Sequence, residues 1–142
     1  MTTNKCPLCE LGNSSNLIWE NSLCRVILAN EAGLPGFIRV VLKDHVAEMT
    51  DLDSIKRNQL MDVVYQVESL IRQVMKPRKV NLAALGNMVP HVHWHVIPRY
   101  EDDKFFPGSV WSESQRELSE QIILERLKQE KVLVQALRDQ LK

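Results

Sequence analysis

Residues 87–100, "NMVPHVHWHVIPRY", carry three of the four histidines of the chain, His91, His93 and His95, each two positions from the next. A period of two belongs to a strand, where alternate side chains share a face. The imidazoles would then stand about 7 Å apart on one face, while Val92, Trp94 and Val96 turn to the other. An apolar core has little use for three imidazoles in a row. The histidine face is therefore expected to be a site, and the valine and tryptophan face to meet the core. Pro98 cannot donate to a ladder, so it is expected to end the strand or to mark an edge.

Working outward, "KVNLAAL" reads as a strand ended by Gly86. Before it, Ile55, Leu60, Val63, Val64, Val67, Leu70, Ile71 and Val74 recur near the helical period. One helix over about 53–75 is expected, capped by Asp51 or Asp53 and stopped at Pro77. Further upstream, "NLIWEN" and "LCRVILAN" suggest a hairpin turning near Asn21 and Ser22. "EAGLPG" marks a turn and "FIRVVLK" a third strand. Downstream, "EDDKFFPGSVW" is expected to be a loop with solvated acids. Past Ser112 or Ser114 the chain reads as helix, with Leu118, Ile122, Leu127, Leu133, Leu137 and Leu141 near one face. Ser114 and Glu117 have capping-box spacing. The pattern implies an α+β domain, a five-stranded, mostly antiparallel sheet with one long helix and a C-terminal helix.

Composition narrows the function classes. The 142 residues suit one domain. With 18 basic and 18 acidic residues, no global field favours nucleic acid or an anionic membrane. No apolar run is long enough to span a bilayer, and the N-terminus lacks the apolar core of a secretory signal. A cytoplasmic address is expected, where cysteines serve as thiols or metal ligands rather than in a disulfide framework.

Three chemistries fit three alternating histidines: a metal site, core hydrogen bonding, or work on phosphate. In the last, a neutral imidazole attacks phosphorus while its other nitrogen is held as N–H by an acceptor. A protonated neighbour then gives a proton to the leaving atom. Gly86 lets backbone approach a ligand, Asn87 adds an amide, and the N–H groups of Met88 and Val89 suit phosphate oxygens.

The run "HVHWHVI" followed by "PR", with the strand–turn–strand "CRVILANEAGLPGFIRVVLKDH" and long helix upstream, resembles the histidine triad (HIT) family, most of all its small bacterial members. The resemblance covers about residues 6–111 and leaves 112–142 as a helical tail of one HIT domain, 1–142. It implies a hydrolase or nucleotidyltransferase acting at the α-phosphate of purine nucleotide conjugates, either dinucleoside polyphosphates or nucleoside phosphoramidates. His93 takes the place of the nucleophile that forms a nucleotidyl-histidine, His95 contacts phosphate or leaving group, and His91 supports the row. Gly86, Asn87, Met88 and Val89 match the phosphate segment, and Asn81 a leaving-group asparagine. Ile27, Leu28 and Asn30 match the nucleoside pocket, with either Ala29 or Asn30 at the ribose contact. A homodimer is implied, and no catalytic cofactor.

Two positions depart from the family pattern. Asn87 stands where many members have glutamine, and Met88 where many have a hydroxyl. The alternative is therefore a catalytically weak nucleotide-binding sensor or scaffold.

"CPLC" has the spacing of a zinc knuckle, a redox pair or two unconnected thiols. In zinc-containing relatives of the resembled family, two histidines complete such a pair. Here that implies a structural zinc on Cys6, Cys9, His45 and His91. Cys24, within an apolar strand, is expected to be packed. Arg99 and Lys43 are expected as phosphate-attracting or solvated charges, and Trp111 as packing on the sheet or closing over a base.

Overall fold

Asn21 builds the first hairpin. Its side-chain oxygen accepts from the N–H groups of Leu23 (2.9 Å) and Cys24 (2.8 Å), turning β1 (Leu17–Glu20) into β2 (Cys24–Leu28). The computed structural model describes residues 6–10 and 16–142; the segment 1–5, part of the stretch that lacks a secretory core, lies outside them. A turn then leads to β3 (Ile38–Leu42). Gly36 in that turn has φ +83°, and a Cβ there would run into the Met75 thioether and Pro98. Only glycine combines that backbone with that clearance.

After a short 3-10 turn (Met49–Asp51) comes α1 (Ser54–Met75). Of the two candidate caps it is Asp53 that acts, accepting from the Lys56 N–H at 2.8 Å. Lys76, in the left-handed conformation, closes the helix before Pro77. Val63, Val64 and Val67 are indifferent helix formers, at about 0.5 kcal/mol each. Their burial, about 1.5–3 kcal/mol per side chain, outweighs that cost. Ile55, expected on the buried stripe, is 68% exposed, because it lies in the first turn ahead of the packed face.

β4 (Lys79–Ala83) and β5 (His93–Arg99) complete an antiparallel sheet ordered β1-β2-β3-β5-β4. Its register gives the faces. Val26 pairs with Val40, Val40 with Trp94, and Ile38 with Val96, forming the side that α1 covers. Ile27 pairs with Arg39, Arg39 with His95, and Val41 with His93, forming the other side. Pro98 does not end β5 and does not lie on an edge strand. It pairs with Val80 on β4, while β3 stops pairing at Val96, so no β3 partner needs the missing N–H.

The C-terminal helix starts later than its capping-box signal suggested. α2 (Glu120–Gln140) is capped by Ser119, which accepts from the Ile122 N–H. Residues 113–119 are held out of helix by other bonds: Gln115 N–H donates to Lys104 O, and the Arg116 guanidinium to the carbonyls of Asp103 and Phe106. Leu133, Leu137 and Leu141 are buried in the α1-side core, whereas Leu127 remains exposed. The helix reaches across to the far turn as well, where Glu130 accepts the Gly36 N–H at 2.7 Å.

Candidate active site and metal cluster

The histidine row divides after its first member. β5 begins at His93, not at His91. Val92, just outside β5, still bonds across to β3, its carbonyl accepting from Leu42 N–H, while its N–H donates to Val46 O and His91 turns back to donate to Val89 O. The His91 ring is buried, and its Nε2 lies 2.6 Å from the Leu42 carbonyl oxygen. It therefore does not stand in a common row with the other two. His93 and His95 remain side by side on the sheet face, ring centroids 4.9 Å apart.

His93 is half-buried, and its Nδ1 lies 2.6 Å from the His91 carbonyl oxygen. Only an N–H makes that contact favourable, so in the neutral ring Nε2 carries the free lone pair. Among the described residues, the candidate metal-binding group does not include His93.

His95 is 5% exposed, ringed by the edges of Phe37 (5.5 Å) and Trp111 (4.9 Å). Burial first, then His93 and the Arg39 charge, lower its pKa from the ordinary 6.5 to about 4. At neutral pH this ring is uncharged, so the acid expected beside the nucleophile is not an imidazolium at residue 95. The stability that this depressed pKa represents is complete above about pH 6.5 and is lost as pH falls toward 4, by about 3 kcal/mol. Denaturant titrations across that window should show the loss, and His95→Gln should flatten it.

Two pockets meet at this pair. One, of about 360 Å³, is walled by Ile27, Leu28 and Ala29 on one side and by Pro7, Leu8 and Arg39 on others. Of the two ribose candidates, Ala29 lines it; Asn30 occupies an exposed left-handed turn (φ 59°). The other pocket, about 300 Å³, lies between the segment Leu85–Val89 and Trp111. His93, His95 and Val89 line both. Gly86, Asn87 and Met88 are thus beside the pair, with Met88 90% exposed. Asn81 shares the histidine face of the sheet but lies further along, its Oδ1 accepting from Arg99 at 2.8 Å.

Arg99 and Asp103 overturn an expectation of solvated charge: both are 3% exposed or less. Asp103 takes Arg99 Nε (2.8 Å) and the N–H groups of Tyr100, Phe105 and Phe106, and Arg99 also reaches Gly108 O (2.7 Å). Burial opposes ionisation of Asp103, yet these hydrogen bonds outweigh it and hold the carboxyl below its ordinary range. The pair folds the loop that lays Trp111 against His95. Arg99→Met leaves a carboxylate buried without its cation and should cost about 3–5 kcal/mol. Thermal melting checks this, and Trp111 fluorescence should shift with it.

The second cluster gathers Cys6, Cys9, His45 and His91, whose ligand atoms lie within 4.8 Å of one another. Nδ1 of His91 is 3.5 Å from each sulfur and 3.3 Å from Nδ1 of His45, which is 3.3 Å from Cys9 Sγ. A tetrahedral zinc with ordinary Zn–S and Zn–N bonds has N–S edges of about 3.5 Å and N–N edges of about 3.3 Å. The donor set fits that ion. The bond from His91 Nε2–H to Leu42 O leaves Nδ1 as the ligating nitrogen, the arrangement that outer partners give a metal-bound histidine. Cys24, fully buried with its thiol pushed up to about 11, is packed as expected.

A family model described as HIT domain matches residues 10–102. The chain belongs to the histidine triad family. This HIT protein is 27% identical over 127 residues to an uncharacterised HIT-like protein of Mycoplasma genitalium, covering 84% of this chain and 90% of that one. It is also 27% identical over 107 residues to the asymmetrical bis(5'-nucleosyl)-tetraphosphatase of Schizosaccharomyces pombe, covering 72% of this chain but only 59% of that one. Its fold matches the crystal structure of a histidine triad protein from Bradyrhizobium japonicum, with TM-score 0.67, 28% identity, and 83% and 89% of the two chains covered.

The residues missed in the sequence are Arg39, Asp103 and the pair Pro7 and Leu8. Their side chains matter through contacts across the sheet or across the chain, which no local pattern encodes.

Proposed function

We propose that this HIT protein is a hydrolase or nucleotidyltransferase of purine nucleotide conjugates, acting at the α-phosphorus. The observation that carries it is His93: its Nδ1–H is held by a main-chain carbonyl, its Nε2 is free, and it lines both pockets. The pocket walled by Ile27 and Leu28 suits a nucleoside, apolar around the base as such sites are. The pocket under Trp111 suits the leaving group.

In the step proposed, the Nε2 lone pair of His93 forms a bond to phosphorus as the bond to the leaving oxygen or nitrogen breaks. The leaving group departs with that electron pair and takes a proton from solvent, which is returned when water is deprotonated in the next step. Water then attacks the nucleotidyl-histidine, the phosphorus–nitrogen bond breaks, and a nucleoside monophosphate is released with His93 restored. Main-chain N–H groups of Met88 and Val89 and the Nε2–H of neutral His95 steady the phosphate oxygens.

A structural zinc on Cys6, Cys9, His45 and His91 accompanies this proposal. His91 then serves the ion, and the chemistry falls to His93 and His95. A homodimer through the outer edge of β4 is proposed with it. Among the described residues that strand pairs on one side only, and Leu82, Leu85 and Trp111 near its edge are at least 36% exposed. A cytoplasmic address is also proposed. Among the described residues no helix is long and apolar enough to cross a membrane.

The test is a panel of dinucleoside polyphosphates and nucleoside phosphoramidates, followed by monophosphate release and by mass spectrometry of a rapidly quenched enzyme. A nucleotidyl adduct at His93 is expected. Tight nucleotide binding with neither release nor adduct would replace the enzyme with a sensor.

A further inference from the structure

Arg39 is the one cation that lines the nucleoside-sized pocket among the described residues. It sits on β3 directly across from His95 and rises on the same face. Its Nε lies 3.4 Å from His95 Nδ1, its Nη2 3.4 Å from Glu31 Oε1, and its guanidinium 5.3 Å from the centre of the Phe37 ring. The contacts made by Nε, by Nη2 and by the face of the guanidinium together orient the fork, which a lysine ammonium cannot reproduce.

The consequence falls on His95. An arginine Nε–H donates and never accepts, so His95 Nδ1 must carry a lone pair. A proton on that nitrogen would set N–H against N–H beside a fixed positive charge. The groups facing His95 are His93 from its own strand, Arg39 from β3, and the uncharged edges of Phe37 and Trp111. Glu31 contacts Nη2 of the same guanidinium and does not contact His95. We propose that Arg39 is a positioning residue that locks His95 as a neutral imidazole, leaving its Nε2–H as a hydrogen-bond donor to the substrate phosphate. This rests on nucleotidyl transfer at His93, and it assigns the leaving-group proton to a source other than His95.

Nitrogen-15 NMR of the histidine rings, without substrate, tests it in the native protein and in Arg39→Met and Arg39→Lys. In the native protein His95 is expected as the Nε2–H form, with Nδ1 shifted by an accepted hydrogen bond and titration only near pH 4. Arg39→Met should lose that shift and titrate higher, toward the ordinary histidine value. Arg39→Lys, which keeps charge without the fork, should fall between them. On a cleaved nucleotide conjugate, Arg39→Met should lower kcat roughly tenfold or more, with KM changing less. An unchanged Nδ1 resonance and titration in Arg39→Met, or a native ring protonated at Nδ1, overturns the proposal. If Arg39→Met fails to fold, Arg39→Gln and Arg39→Lys report the same resonance. Absence of any His93 adduct in the native protein would sink the transfer chemistry alone, since the spectra still decide what Arg39 does to His95.

Discussion

His93→Ala is expected to fold and to lose turnover by about 10⁴-fold or more, the scale seen when a covalent nucleophile is removed. The fold survives because the ring is half-buried and makes one hydrogen bond, to the His91 carbonyl, whose loss costs about 1 kcal/mol. Loss on this scale, with melting nearly unchanged, separates a nucleophile from a ligand-positioning group, whose removal costs far less. Quenched reactions should hold no nucleotidyl adduct in the variant, and nucleotide should still bind in the pocket beside Ile27 and Leu28. A variant within tenfold of native rate would remove His93 from the chemistry.

The second large effect is expected from the cysteine cluster. Cys6→Ser with Cys9→Ser removes both sulfur atoms while leaving His45 and His91 facing each other 3.3 Å apart. If the native protein holds zinc at a thousandfold excess over its dissociation constant, the variant loses about 4 kcal/mol of linked stability. For a chain of this length that is a fall in Tm of roughly 12 °C. Pro7 and Leu8, between the two cysteines, wall the nucleoside-sized pocket, so nucleotide affinity should weaken as well. Metal analysis of the native protein, with calorimetry of both proteins and of the native protein after chelation, reads each part. A metal-free native protein that melts with the variant would eliminate the ion. Activity surviving at an unchanged kcat after chelation would fit a structural ion and exclude a catalytic one.

The helix α1 was legible because its period is long and its cap, Asp53, and stop, Pro77, are local signals. The alternation from His93 onward was equally plain. His91 was not: it shares the same spacing, but its main chain bonds to Val89 and its ring to Leu42, a residue 49 positions away. The start of α2 misled for a similar reason, since Ser114 and Glu117 offered a cap that Arg116 and Gln115 refuse by bonding the 103–106 loop. Arg99 read as a phosphate-attracting or solvated charge and Asp103 as a solvated one, because charge alone says nothing of burial when the partner is supplied by folding.

Local pattern by itself determined the strand of imidazoles, the long helix, the order of elements and the two-cysteine knuckle, because each is written in neighbours within a few residues. Tertiary structure alone decided which histidine joins the two cysteines and which faces a pocket, that Arg39 meets His95, and that a buried ion pair carries Trp111. Those outcomes depend on strand register and on distances between segments remote in the chain, and such distances exist only once the sheet has closed.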